Sequence, residues 1–142
     1  MDIARELKLP IAIHSRDAAQ DTIQIMRASR AEEIGGVIHC YSYSKESARD
    51  FLNMGFYFGI GGVVTFKNAK KLKEAVAYIP LSNIVLETDA PYLTPEPFRG
   101  KRNDSSKLVY VAQAIADIKQ IPVDEVYAET WKNAHQMYKI QT

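Results

Sequence analysis

The sequence predicts an α/β protein built from βα units around a parallel sheet, and three observations lead there. Four short runs, "LPIAIHS", "GGVIHCYS", "GFYFGIGG" and "NIVLETDAP", are rich in Ile, Val or aromatic residues and bounded by Gly or Pro, as strands are. Their ends, near His14, His39, Gly61 and Asp89, lie 25, 22 and 28 residues apart, the period at which strands alternate with helices. The runs are continuously apolar rather than alternating, which fits parallel strands covered on both faces.

Each element has its own signals. After the first strand, Asp17 is placed to cap a helix over 18–29. Ser44 begins a second amphipathic segment that runs to Met54 and stops at Gly55, and Asn68 a third that runs to Tyr78 ahead of Pro80. Beyond the fourth strand the pattern changes to a loop, "TPEPFRGKRNDSS", followed by two helices over 107–119 and Val123–Tyr138, divided at Pro122. No low-complexity tract or long linker interrupts the chain, so residues 1–142 read as one domain.

Composition narrows the function classes. A chain that is 46% hydrophobic and 25% charged can bury one ordinary core. A net charge of +1 supplies no global attraction to nucleic acid or membrane, so any such affinity must come from local clusters. The opening "MDIARELKLP" is too charged for a signal peptide, and no apolar run approaches the ~18 residues of a spanning helix. Cys40 is the sole cysteine, which excludes an intrachain disulfide and fits a reducing compartment, a redox thiol being the other reading. A cytoplasmic protein without membrane contact is the expectation.

In βα folds chemistry gathers at the carboxyl ends of the strands, and His14, His39 and Asp89 all stand there. Taken singly each is ordinary: a hydrogen-bonded histidine, an aspartate in a turn. Taken together, two imidazoles on consecutive strands and a carboxylate two strands later form a donor set for a divalent cation. Strand alternation puts Glu87 on the same face as Asp89 and one layer beneath it, with Thr88 opposite. There Glu87 can accept the free N–H of a metal-bound imidazole, the alternative being an ion pair with Lys or Arg. His135, in the last helix, reads as a surface residue. Arg99, Lys101 and Arg102 form a basic group that can hold phosphate oxygens, and Arg16 can reach the same rim. The basic stretch "TFKNAKKLK" is read as a helix start with lysines on its outer face. Two histidines and one carboxylate also suit an iron-dependent oxygenase, a reading that the βα period and the basic loop oppose.

The blocks "IHSRDA", "VIHCYS", "IGGVVTFK", "LETDAPYLTPEPFRGKRN" and "TWKNAHQMY" resemble, in this order, those of the TatD family of metal-dependent hydrolases, over about residues 3–140. The resemblance implies a TIM (β/α)₈ barrel of the amidohydrolase type and deoxyribonuclease activity, with Mg, Mn or Zn as cofactor and DNA as substrate. It makes His14 and His39 metal ligands from the fifth and sixth barrel strands and Asp89 the ligand from the eighth. Asp89 and Glu87 become the catalytic carboxylates. An ester such as aminoacyl-tRNA is the alternative substrate. A complete barrel takes roughly 250 residues. At 142 residues the resemblance is to its carboxyl-terminal half, strands 5–8, without the family's His-x-His pair or its fourth-strand Glu. Such a half exposes two strand edges, so a homodimer or a complementary amino-terminal half-barrel chain is the expected partner. An inactive fragment is the remaining alternative.

Overall fold

Four parallel strands form one sheet in the order in which they occur along the chain: β1 (Ile11–His14), β2 (Gly36–His39), β3 (Tyr57–Ile60) and β4 (Ile84–Leu86). The computed structural model describes residues 1–140. Helices α2 (Ala19–Ala28), α3 (Lys45–Asn53) and α4 (Lys70–Tyr78) connect the strands, so every crossover carries one helix and adds the next strand on the same side. Two more helices, α5 (Leu108–Lys119) and α6 (Val123–Tyr138), follow β4, and a short α1 (Asp2–Leu7) precedes β1.

The core lies on the helix-covered face. Ile38, Phe58, Ile60 and Ile84 of the sheet meet Ile23 and Met26 of α2, Phe51 of α3, Leu72 and Val76 of α4, and Val111 and Ile115 of α5. All are nearly or fully buried. At about 1.5–3 kcal/mol for each large side chain removed from water, this layer supplies the main driving force for folding. The opposite face is covered at its base by α6, where Met137 and Ala134 pack on Val37, Tyr57 and Val85. Asn133 of α6 donates from Nδ2 to the carbonyls of Leu81 and Ile84, and the Tyr57 hydroxyl donates to Gln136 Oε1, which holds α6 across the amino ends of β2 to β4. In β1 the expected two-sided burial fails, because Ala12 and His14 are exposed.

Two capping expectations are corrected. Asp17 does not cap α2: it adopts φ 53, and the helix begins after Ala18, whose N–H donates to the Tyr43 hydroxyl. A hydroxyl from the next βα unit thus satisfies the N–H of the N-cap residue, and no side chain caps the helix proper. Asn68 stands outside α4, because the 3-10 turn Gly62–Thr65 lengthens the connection and Ala69 becomes the helix's first cap residue. Ser44 does occupy the N-cap position of α3, and Gly55 ends it at φ 73. Helix α1 was not foreseen in a segment read only for its charge. Among the described residues no helix is long and apolar enough to cross a membrane.

Candidate metal centre

The pairing of β1 with β2 puts His14 and His39 in register as direct neighbours at the carboxyl edge of the sheet. Their ring centroids are 5.7 Å apart, close enough for one ion to reach a nitrogen of each. Glu87 follows β4 and still donates its N–H to the Ile60 carbonyl, so it continues the ladder by one bond.

Asp89 arrives differently from the sequence expectation. Strand alternation placed Glu87 and Asp89 on one face, but β4 ends at Leu86 and Asp89 sits in the following turn at φ 55, a left-handed conformation that Asp tolerates. Both carboxylates nevertheless reach the same imidazole. Glu87 Oε2 lies 3.0 Å from His39 Nδ1, and Asp89 Oδ1 lies 3.3 Å from His39 Nε2. The second oxygen of Glu87, Oε1, accepts the backbone N–H of Cys40 at 2.9 Å, so this 15%-exposed carboxylate has a partner for each oxygen. No Lys or Arg pairs with it among the described residues.

Room for Glu87 comes from a neighbouring strand. A Cβ built on Gly59 would fall 1.8 Å from Glu87 Oε2, so only glycine at that place lets the carboxylate fold back toward His39. Gly62 performs the same service for the loop after β4, since a Cβ there would lie 2.0 Å from the Leu93 carbonyl.

The donor set can be tested against a cation. With Nδ1–H given to Glu87, a neutral His39 turns the Nε2 lone pair toward the Asp89 carboxylate, two acceptors facing each other at 3.3 Å. A cation between them removes that conflict. Two ligand atoms each ~2.1 Å from one ion at a tetrahedral angle stand about 3.4 Å apart, close to the separation observed. His39, Cys40 and Glu87 also bring one ligand atom apiece within 4.8 Å of one another. A cation held there would break the His39–Glu87 bond and require a thiolate. Burial first, and then the Glu87 and Asp89 carboxylates, push the Cys40 thiol well above its ordinary range in the metal-free chain, whereas a cation on the Asp89 side of His39 leaves the bond to Glu87 in place.

A cleft of about 510 Å³ opens over the sheet's carboxyl edge, lined by His14, Arg16, Cys40, Asp89 and Tyr92, with Val63 and Leu93 on its apolar side. Arg16 is therefore brought to the site. Arg99, Lys101 and Arg102 do not line it: the Arg99 guanidinium stacks on Phe66, 4.2 Å from its ring centroid, and Lys101 sits over Phe98 at 5.9 Å. The loop carrying them runs past Phe66 and turns its charges to solvent. His135 lies on α6, stacked on the exposed Trp131, far along the chain from every ligand candidate. Cys40 was read only for its redox meaning, although its adjacency to His39 in "IHCYS" already placed it at the cleft.

Comparison with known proteins adds to this geometry. The family profile described as "TatD related DNase" matches residues 1–139. A Bacillus subtilis protein described as "Uncharacterized metal-dependent hydrolase YabD" is 48% identical over 97% of this chain and 54% of its own length. The similarly described YcfH of Escherichia coli is 40% identical over 99% of this chain and 53% of its own. The chain thus spans about half the length of these relatives. Among solved structures, YJJV, a TatD homologue from Escherichia coli, superposes with a TM-score of 0.91 at 26% identity, covering 99% of this chain and 54% of that one. A TatD family hydrolase from Entamoeba histolytica, at 22% identity and a TM-score of 0.83, shares the fold over 93% of this chain and 51% of its own.

Proposed function

Because the chain belongs to the family of TatD related DNases, we propose that it forms the carboxyl-terminal half of a metal-dependent hydrolase barrel that acts on phosphodiester bonds of DNA. His14, His39 and Asp89 would hold a divalent cation such as Mg, Mn or Zn. The observation that carries this reading is His39 held between two carboxylates, Glu87 on Nδ1 and Asp89 on Nε2. An acid on the far nitrogen fixes the tautomer and turns the near lone pair outward, the arrangement of metal-bound histidines.

A bound divalent cation supplies a lowered pKa for water and positive charge for an anionic transition state. The chain's own residues do the rest. Glu87 accepts the Nδ1–H of His39 and keeps the ring from turning. Asp89 Oδ1 faces His39, and the carboxylate lines the cleft, where it can accept a proton from an attacking water. Arg16, on the cleft lining, is the residue placed to grip a phosphate oxygen. Arg99, Lys101 and Arg102 enter this reading only as a more distant basic rim.

The half-barrel reading is supported by four parallel strands in unbroken order, with β1 and β4 each paired on one side. Titration with Zn²⁺ or Mn²⁺ followed by crystallography tests the site: ligand distances near ~2.0–2.2 Å to His14, His39 and Asp89 are expected for zinc. Uptake unchanged by Asp89→Ala refutes the ligand set. Relative hydrolysis of single-stranded DNA and charged tRNA by the completed barrel decides between phosphodiester and ester substrates.

A further inference from the structure

Asn103 is nearly fully buried, at 3% exposure, and does not itself line the cleft. Its Nδ2 donates one proton to the Thr88 carbonyl and the other to the Tyr92 carbonyl, both at 2.8 Å. Its backbone N–H donates to the Pro91 carbonyl at 3.0 Å, and its Oδ1 accepts from the Asp104 N–H at 3.0 Å. These bonds surround one residue. Thr88 and Pro91–Tyr92 flank Asp89, and the Tyr92 N–H closes the turn by donating to the Asp89 carbonyl at 2.9 Å.

We propose that Asn103 is a positioning residue for Asp89, fixing through the backbone of residues 88–92 where that carboxylate stands opposite His39. The proposal rests on the reading of Asp89 as a metal ligand. A positive-φ aspartate beyond the end of its strand has no ladder to hold it, and a loop in that state explores other conformations unless something external fixes it. The primary amide of Asn supplies two N–H groups in one rigid fork, which reach two carbonyls four residues apart. Ser offers one donor, and Asp none. The far side of Asn103 is anchored as well: Asp104 accepts from the Ser106 N–H at the turn that leads into α5, whose Val111 and Ile115 are buried in the core. Packing of α5 is thereby coupled to the placement of Asp89.

The molecule contains its own control. Asn133, 1% exposed, makes the matching pair of bonds at the opposite end of β4, donating from Nδ2 to the carbonyls of Leu81 and Ile84 at 2.8 Å each. Removing either amide orphans two carbonyls, but only one pair brackets Asp89.

The test compares Asn103→Ala, Asn133→Ala and Asp89→Ala in the metal-free chain, by melting temperature and by the ¹⁵N resonance of His39 Nε2. Both asparagine variants should melt lower. Asn103→Ala should move the Nε2 resonance toward its position in Asp89→Ala, while Asn133→Ala leaves it in place. Where Asn103→Ala does not fold, Asn103→Ser, with one donor retained, should give a smaller displacement in the same direction. A wild-type resonance in the Asn103 variants, or an equal displacement in Asn133→Ala, overturns the proposal. So does a resonance that Asp89→Ala leaves unmoved. In a Mn²⁺ titration Asn103→Ala should bind about 10–100-fold more weakly than wild type, the loss typical of a disturbed ligand support. Wild-type chain that takes up no Mn²⁺ refutes the metal reading, and the resonance of the metal-free chain then decides the positioning role by itself.

Discussion

Gly59→Ala places one methyl group where the ligand support has no space. The new Cβ would fall 1.8 Å from Glu87 Oε2 and 2.7 Å from its carboxyl carbon, so the Glu87 carboxylate must shift from its place beside His39. Two interactions leave with it, the bond to His39 Nδ1 at 3.0 Å and the bond from the Cys40 N–H at 2.9 Å. A hydrogen bond to a charged group contributes about 1.5–3 kcal/mol, and a backbone N–H left unpaired costs about 1–3. Ala in a strand returns about 0.5–1 relative to Gly, and His39, with a third of its side chain exposed, recovers part of its loss from water. The net destabilisation should be about 2–4 kcal/mol, measured as a shift in the urea midpoint at constant slope. The mechanism is isolated by repeating the substitution in a Glu87→Ala background, where the methyl meets no carboxylate. There Gly59→Ala should be neutral or slightly stabilising, a coupling expected only of residues in contact. An equal cost in both backgrounds refutes the steric account of Gly59 and with it the dependence of Glu87 on that glycine.

Four further outcomes follow from the structure. Arg16→Ala should raise the KM of the completed barrel for an oligonucleotide by about 10–100-fold, the loss of one charged phosphate contact; Arg99→Ala should leave KM near wild type and cost about 0.5–1 kcal/mol of stability from its stacking on Phe66. The isolated 142-residue chain should show little metal-dependent nuclease activity, and efficient DNA hydrolysis that His39→Ala abolishes would contradict the half-site reading. Lys107 first, and then Ser106, hold the Asp104 carboxyl down to about 2, so its support of the turn into α5 is complete above the ordinary carboxylate range and lost as pH falls through about 2; a carboxyl carbon titrating in NMR with a midpoint near 4 would contradict this. Finally, among the described residues β1 pairs on one side only and Leu9, just ahead of it, is exposed, so the chain should pair with a second copy or a complementary half-barrel; a light-scattering mass of 16.0 kDa across a wide concentration range, with sharp amide dispersion, would contradict it.

What the sequence made legible divides along the line between local and tertiary causes. Strand existence and the βα period depend on runs of Ile, Val and aromatics, local in the chain, and β1 to β4 fall where those runs stand. The last helix, Val123–Tyr138, is bounded by Pro122 and lies where it was expected. The start of α2 is not legible locally because its partner is distant: Tyr43 serves the Ala18 N–H across 25 residues, which no inspection of "SRDAA" reveals. The site shows the same division. That His14 and His39 meet follows from parallel register, because two residues ending consecutive strands become neighbours whenever the strands start level. The approach of Glu87 and Asp89 to His39 was anticipated from alternation, but alternation is the cause only for Glu87. Asp89 depends on a left-handed turn that Asn103 ties down from fourteen residues away, within a block, "FRGKRN", whose charges drew attention ahead of its amide. The charged residues of that block face solvent and an aromatic ring, while its one buried polar residue braces the loop that carries the carboxylate. Sequence shows which residues have the chemistry to contact a phosphate or a cation. Burial, seen only in the fold, separates those that would touch the ligand from those that hold its ligands in place.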